Sequence, residues 1–452
     1  MKIEKIRNHK RIIVGGLITL GVITTLILTT SKAKYKNIQT MDLVNGTINY
    51  KPYDFKVMAM YKNDGSGDVE ISEMPSSGYI INESKSYCTL DNTNKDTNAT
   101  LKTIDGNHVI ENLSKNDKCY LYFDKSTNLI ATIKEGAKEE KTEFTGVATE
   151  ADTGVYTAPD DYGTSYYFRG IEDKLNNWVE FAGFYWRIIR INGNGTIRMI
   201  YTGEASGAVS SNNKLGTTTQ INNNAYQYNS SDYDNTFVGY MNNNERTTSY
   251  NKAHLNLYDS NAKKQVDSWY KTNIVDKGYG DKVDINTGFC NDRVIDNGTH
   301  NYTGDGYGTQ TTSYAPLGRL YQNNNFRAVQ TPTFHCSYIG RDFFTINNAN
   351  IGNKKLTYPV GLITIDEAIF AGMFNGREVS SYYLETGQRF WTMSPHMGAS
   401  DTCTVYIIGS NGQFGTWNGI SKTYAGLRPV KNLKADTQFS GSGSESDPYK
   451  VI

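Results

Sequence analysis

Nineteen consecutive residues without a charge, from Ile12 to Thr30, constrain this 452-residue chain more than any other feature. A helix needs about 20 such residues to cross the hydrocarbon of a bilayer. Lys2, Lys5, Arg7, Lys10 and Arg11 precede the run, and Lys32, Lys34 and Lys36 follow it. That bias favours an N-terminus inside the cell. The expected arrangement is a cytoplasmic tail over 1–11, a single transmembrane helix over 12–30 and an extracellular C-terminal part held to the cell membrane. The alternative is a cleavable signal peptide cut after Ala33, at Ser31-Lys32-Ala33, although the apolar run exceeds the usual length of a signal core.

The formal charge of zero conceals an asymmetry. Of the 46 residues of each sign, eight basic and one acidic lie in the first 36 positions, leaving 38 basic against 45 acidic beyond them. A mildly acidic ectodomain excludes nucleic acid as the expected partner, because phosphate neutralisation needs clustered Lys and Arg. Five cysteines, all beyond the apolar run, fit an oxidising compartment. Cys88 and Cys119 sit in similar strand-like runs, Cys290 and Cys336 in similar aromatic-then-polar contexts, and Cys403 is left over in an apolar strand. These surroundings suggest two disulfides, although spacing alone does not fix connectivity. Metal-ligand spacings of the Cys-x-x-Cys or His-x-x-x-His type are absent, so no metal or other cofactor is expected.

The periodicity divides the chain. A polar link over 31–44 leads to a module over 45–135 with short candidate strands at Asp54–Tyr61, Gly78–Ile81, Ser86–Leu90, His108–Leu113 and Cys119–Phe123. Strands at this spacing, without a convincing helix, predict an all-β immunoglobulin-like sandwich acting as a stalk. The charged stretch 136–154 reads as a linker. The remainder, 155–452, opens with a meander: Asn177–Phe181, Phe184–Ile191, the Asn192-Gly-Asn-Gly195 turn and Thr196–Tyr201. Such a turn supplies the positive φ angles a hairpin needs. From 203 to 260 the Asn/Ser/Thr/Gly-rich sequence suggests long surface loops. Val266, Trp269, Tyr270 and Ile274 have helical spacing. Thr364-Ile-Asp-Glu367 is a capping box that starts a second helix. Late strands are expected at Phe390–Met393, Cys403–Ile408 and Leu427–Leu433.

Five blocks carry a resemblance. They are Phe181-Ala-Gly-Phe-Tyr-Trp-Arg-Ile-Ile-Arg-Ile-Asn-Gly-Asn-Gly-Thr-Ile-Arg198, Phe289-Cys-Asn-Asp-Arg293, Leu356 through Ala368, Phe390-Trp-Thr-Met-Ser-Pro395 and Gly426-Leu-Arg-Pro-Val-Lys-Asn-Leu433. In this order they resemble an uncharacterised domain family in surface proteins of low-GC Gram-positive bacteria, over roughly 160–452. The resemblance implies an α+β C-type-lectin-like domain, close to the formylglycine-generating-enzyme branch. The copper-binding cysteine pair of those enzymes is not matched, since only Cys403 lies in the late part of the chain. The resemblance therefore implies no catalysis. Of the calcium-dependent sugar-binding motifs, only Trp417-Asn418-Gly419 is matched, in two of its three residues, which leaves calcium as the one alternative to a domain without cofactor.

The expected function is a membrane-anchored surface protein that binds a protein or glycan ligand through long loops, without turnover. Tyr226, Tyr228, Trp391, His396, Trp417 and Asn418 are the candidate ligand contacts. Asp366 and Glu367 are assigned to helix capping rather than acid–base work. His335 neighbours Cys336, but a disulfide-bonded cysteine cannot act as a nucleophile. Ser394 lacks the Gly-x-Ser-x-Gly setting of a hydrolase nucleophile. The alternatives are a cell-surface enzyme on the same fold, which Trp391, His396 and Cys403 converging in one pocket would favour, and a structural component of an envelope assembly.

Overall fold

The computed structural model describes residues 55–451 except 65, 76–78, 91–93, 105–106, 127, 206–217, 297–306, 308–310, 323–324, 348–350, 375, 380, 400–401 and 416–418. The tail over 1–11, the helix expected over 12–30 and the link over 31–44 therefore lie outside the described residues. The chain forms two compact units that divide between Lys125 and Ser126.

In the first unit the strands are β1 (Phe55–Asn63), β2 (Asp68–Ile71), β3 (Tyr79–Ile81), β4 (Tyr87–Thr89), β5 (Thr100–Ile104), β6 (Asn107–Glu111) and β7 (Asp117–Lys125). Strand β7 alternates strictly: Cys119, Leu121 and Phe123 are buried, while Tyr120 and Tyr122 face away. On the outer face Tyr122 stacks on Tyr61 at 4.7 Å and Tyr120 on Tyr87 at 4.9 Å. The inner face packs Met60, Ile81, Leu101 and Ile110 against the β7 residues. Cys88 stands directly opposite Cys119 across the β4–β7 ladder and is disulfide-bonded to it. Closing a loop of 31 residues contributes roughly 3–4 kcal/mol on a chain-entropy account.

This unit corrects the expected immunoglobulin-like sandwich. The central pair, β1 and β7, runs parallel, whereas β2, β3 and β4 join antiparallel. The β5–β6 hairpin forms a separate two-stranded sheet. An immunoglobulin sandwich is built from two antiparallel sheets. Alternation in sequence reveals a strand and its buried face but not the direction of its partner, which is why the parallel pairing was not foreseen.

The second unit begins with β8 (Ala137–Lys138), β9 (Gly154–Asp160), β10 (Gly163–Arg169), β11 (Trp178–Phe181), β12 (Phe184–Ile191) and β13 (Ile197–Glu204). They belong to a nine-stranded sheet that also holds the strands Val430–Leu433, Phe439–Ser440 and Tyr449–Val451. Strand β12 is its hub. It pairs with β11 along its first half and β10 at its last two residues, and with β13 along nearly its whole length. It is accordingly buried on both faces, Trp186 to Ile191 without interruption. The turn to β13 places Gly195 at φ 86°, a conformation open to glycine at little cost. A second sheet joins Thr311–Ser313, Phe390–Ala399, Thr402–Ile408 and Phe414–Gly415.

Helices are few and short. The longest α-helix described, Asn261–Tyr270, has ten residues and passes into a π-helical turn, Lys271–Val275. The capping box is present, with both of its reciprocal hydrogen bonds, at the helix Ile365–Ala371. Among the described residues no helix is long and apolar enough to cross a membrane. Across the described residues, which do not include 12–30, the expected fold class of a transmembrane helix, a sandwich and an α+β domain gives way to a mostly β protein with a few short helices.

Two further expectations change. The stretch 136–154 is not a free linker: β8 pairs with β9, Phe144 is buried against Phe370, and the Arg169 guanidinium donates to the Gly146 carbonyl. Its charges hid one anchoring aromatic. The supposed surface loops after 203 carry core, with Tyr228, Val238 and Tyr240 completely buried. Some polar neighbours bond within the segment: Asn229 donates to the Phe237 carbonyl, and Asp234 accepts from Thr236. The remaining two disulfide cysteines, Cys290 and Cys336, are bonded to each other, and Cys403 is a buried thiol. Two disulfides fit an oxidising compartment.

Lys431, on the strand Val430–Leu433, is fully buried with its ammonium nitrogen 3.6 Å from the centre of the Phe181 ring and 4.0 Å from that of Trp186. Desolvation holds its pKa well below the ordinary lysine value, and no hydrogen bond reaches the nitrogen. The unfolded chain then binds a proton that the folded chain lacks, so stability must rise with pH towards the ordinary lysine pKa of about 10.4. Lys431→Met is expected to raise unfolding free energy at pH 7 by roughly 1–3 kcal/mol and to flatten the rise between about pH 7 and 9. Urea denaturation across that range measures both effects.

Candidate functional site

Charged residues in buried strands must find partners, because an isolated ion in a low-dielectric interior is prohibitively costly. Strand β12 brings Arg190 and strand β13 brings Arg198 to one place, where the first turn of the helix Ile365–Ala371 supplies Asp366 and Glu367. Glu367 caps the helix through the Thr364 amide and also faces both arginines, at 2.5 Å from Arg198 Nε and 3.5 Å from Arg190 Nη2. Burial alone would raise its pKa, yet Arg198 and Arg190 hold it below the usual glutamate value. Arg190 also pairs with Asp160 at 3.4 Å.

A second group lies beside the first. Arg319 donates from Nε and Nη2 to the two Asp366 oxygens at 2.7 and 2.8 Å, and from Nη2 to Asp292 Oδ2 at 2.7 Å. Burial raises the Asp292 carboxyl pKa, and the Asp366 carboxylate adds to this, while Arg319 and Ser337 offset part of it. Asp292 holds φ at 46°, in the left-handed region. Its neighbours fix that conformation, since the amides of Asn291 and Arg293 both donate to Asp342.

These groups line a narrow cleft with about 20 Å³ of free space, room for one group the size of water. Cys290, Thr333, Phe334, His335 and Ser394 also line it. His335 is half exposed, with Nδ1 3.0 Å from Asp161 Oδ1, and the Cys336 amide donates to the other Asp161 oxygen. The Cys290–Cys336 disulfide joins the segment carrying Asp292 to the one carrying His335.

The residues expected to contact a ligand are placed elsewhere. Tyr226, Tyr228 and Trp391 do meet, with Tyr228 and Trp391 in the interior and Tyr226 partly buried: Trp391 Nε1 donates to the Tyr226 carbonyl at 2.8 Å, and the Tyr228 and Trp391 rings lie 5.6 Å apart. His396 is buried against Tyr406 and Phe414, with Nδ1 2.8 Å from Thr404 Oγ1. None of these four lines the cleft. Trp417 and Asn418 lie outside the described residues. Cys403, also buried, has its thiol pushed far up by desolvation and by Asp234 and Asp232, the opposite of what a nucleophilic cysteine needs.

Sequence reasoning missed Arg190, Arg198, Arg319 and Asp292. A signal was present for the first two: Arg187, Arg190 and Arg198 interrupt otherwise apolar strands, and a buried arginine implies a buried acid. The five blocks noted above converge here and on the sheet behind. Arg198 lies over the Phe289 ring at 4.7 Å, Asn291 donates to the Met393 carbonyl, and Ile365 donates to Ser394 Oγ. Gly361 bridges Val430, and Phe390 bridges Gly426.

Among the described residues, no group of three or more His, Cys, Asp or Glu side chains is arranged to hold a metal ion. Comparison with protein-family models, with curated proteins and with solved structures finds no match. The fold and the cleft thus define a disulfide-bonded, mostly β protein with an ionic cleft built from guanidinium–carboxylate pairs.

Glu367→Ala removes the acid shared by two buried guanidinium groups together with half of the capping box. Loss of roughly 3–5 kcal/mol of unfolding free energy is expected, measurable by denaturant titration. Exposed Lys174→Ala, which breaks a surface ion pair with Glu150, should change stability by less than about 1 kcal/mol.

Proposed function

We propose that this protein acts outside the cell as a recognition protein, whose second unit binds a protein or glycan ligand without turnover. The observation that carries the reading is the state of the ionisable groups around the cleft. Arg190, Arg198, Arg319, Asp160, Asp366 and Glu367 are already engaged in mutual ion pairs. Such a framework positions fixed charges for recognition rather than leaving a base or nucleophile free to react. The inert environment of Cys403 agrees with it. The two disulfides support an extracytoplasmic site of action. The resemblance of the five blocks to bacterial surface proteins supports a ligand at the cell surface. Exposed Leu255, Leu257 and Tyr258 offer apolar contact area on the same unit.

One observation favours an enzyme instead. Asp292 has a raised carboxyl pKa and shares Arg319 with Asp366, a pairing that can divide acid and base roles.

The purified chain with both disulfides intact should bind saturably to one member of a panel of glycans and surface proteins. Cys403→Ala should leave that binding unchanged. A turnover activity that disappears in Asp292→Asn or Cys403→Ala would replace this reading with the enzymatic one.

A further inference from the structure

We propose that the cleft of the second unit binds the ε-ammonium group of a lysine side chain presented by a protein partner, with Asp292 Oδ1 as its anionic contact. This rests on reading that unit as a binding unit, and it names the chemistry recognised.

Asp292 is 4% exposed and lines the cleft, and its Oδ1 atom has no hydrogen-bond partner of good geometry; the Ser337 hydroxyl approaches the carboxyl but, being neutral, leaves its charge unmatched. Its other oxygen accepts from Arg319. A buried carboxylate oxygen left without a donor is costly, and the local charge is also unbalanced. In the first group Asp160 and Glu367 are matched by Arg190 and Arg198. In the second, Asp292 and Asp366 share the single guanidinium of Arg319, leaving one negative charge in excess. A monocation with N–H donors at Oδ1 removes both deficits together.

Size and shape select among such cations. The free space, about 20 Å³, admits one water-sized group, which an ammonium head matches and a guanidinium exceeds. Ser394 and Thr333 line the same cleft. Each hydroxyl accepts one backbone amide, from Ile365 and His335 respectively, and retains a second lone pair for a ligand N–H. A lysine carries its ammonium at the end of an unbranched stem, so the head can enter a small space alone. In an amino sugar the ammonium sits directly on a ring too wide to enter.

The test titrates the whole chain, disulfides intact, with Nα-acetyl-lysine methylamide at constant ionic strength, followed by calorimetry. Saturable binding is expected, weakened at least about tenfold in Asp292→Asn, which removes the charge-assisted contact. Asparagine tolerates the left-handed backbone of this position, so the variant should fold. The Nε-trimethyl derivative keeps the charge but has no N–H and a larger head, and should not bind. Should Asp292→Asn fail to fold, discrimination between these two ligands by the unaltered protein decides the matter. Equal binding of both, or a response no greater than to sodium chloride, would overturn the proposal. Glucosamine binding more tightly than the lysine derivative would overturn the protein partner. If the lysine derivative fails while a ligand from the surface panel binds, this inference alone falls. If neither binds, the recognition reading falls with it.

Discussion

Buried guanidinium ions govern this structure. Arg169, Arg187, Arg198, Arg293 and Arg428 are among its largest fully buried side chains. Taking such an ion out of water costs more than most single contacts return, so each must be surrounded by acceptors in fixed positions. Arg428 reaches the Tyr201 and Leu384 carbonyls and Thr202 Oγ1. Arg293 binds Asp342 while donating to the Met241 carbonyl and Asn256 Oδ1. Arg169 joins Asp152 to the Ile369 and Gly146 carbonyls. Each therefore ties together segments that are distant in sequence and irregular in backbone. With helices so short, these ionic ties, together with the two sheets, hold the second unit in one conformation.

The cleft follows from the same constraint. Glu367 is at once the capping residue of a helix and the counter-ion of two strand arginines. Helix start and sheet hub are thereby locked to a common point. The surroundings of Asp292 are different in kind. Its backbone is held in a left-handed conformation, and one of its oxygens makes no hydrogen bond of good geometry. What sets it apart from Glu367, whose unbonded oxygen still faces two guanidinium groups, is that its one guanidinium partner is shared with Asp366.

Local signals in the sequence were legible. The meander of β11, β12 and β13 follows from alternation and one Asn-Gly turn, and the helix at Ile365 from its capping box. The pairing of cysteines followed from matched surroundings. Elements defined by distant partners were not legible. The parallel β1–β7 pair joins segments more than fifty residues apart. Arg319 meets Asp366 across 47 positions and Arg198 meets Glu367 across 169. Nothing near an arginine in sequence announces which acid it will meet. Tyr228, expected on a surface loop, and Trp391, expected as a ligand contact, turn inward because large rings bury the most apolar surface where the packing admits them.

The disulfide between Cys290 and Cys336 gives the cleft a history as well as a shape. It is the covalent join between the segment bearing Asp292 and the one bearing His335, and it closes 46 residues of chain. Cytosolic thiols stay reduced, whereas those of exported proteins become paired. In a reducing compartment the chain would therefore assemble its sheets with this clasp undone, and both walls of the cleft would lack their shared tether. The cleft is completed only where thiols are oxidised, so the redox state of the surroundings sets when it takes its final form.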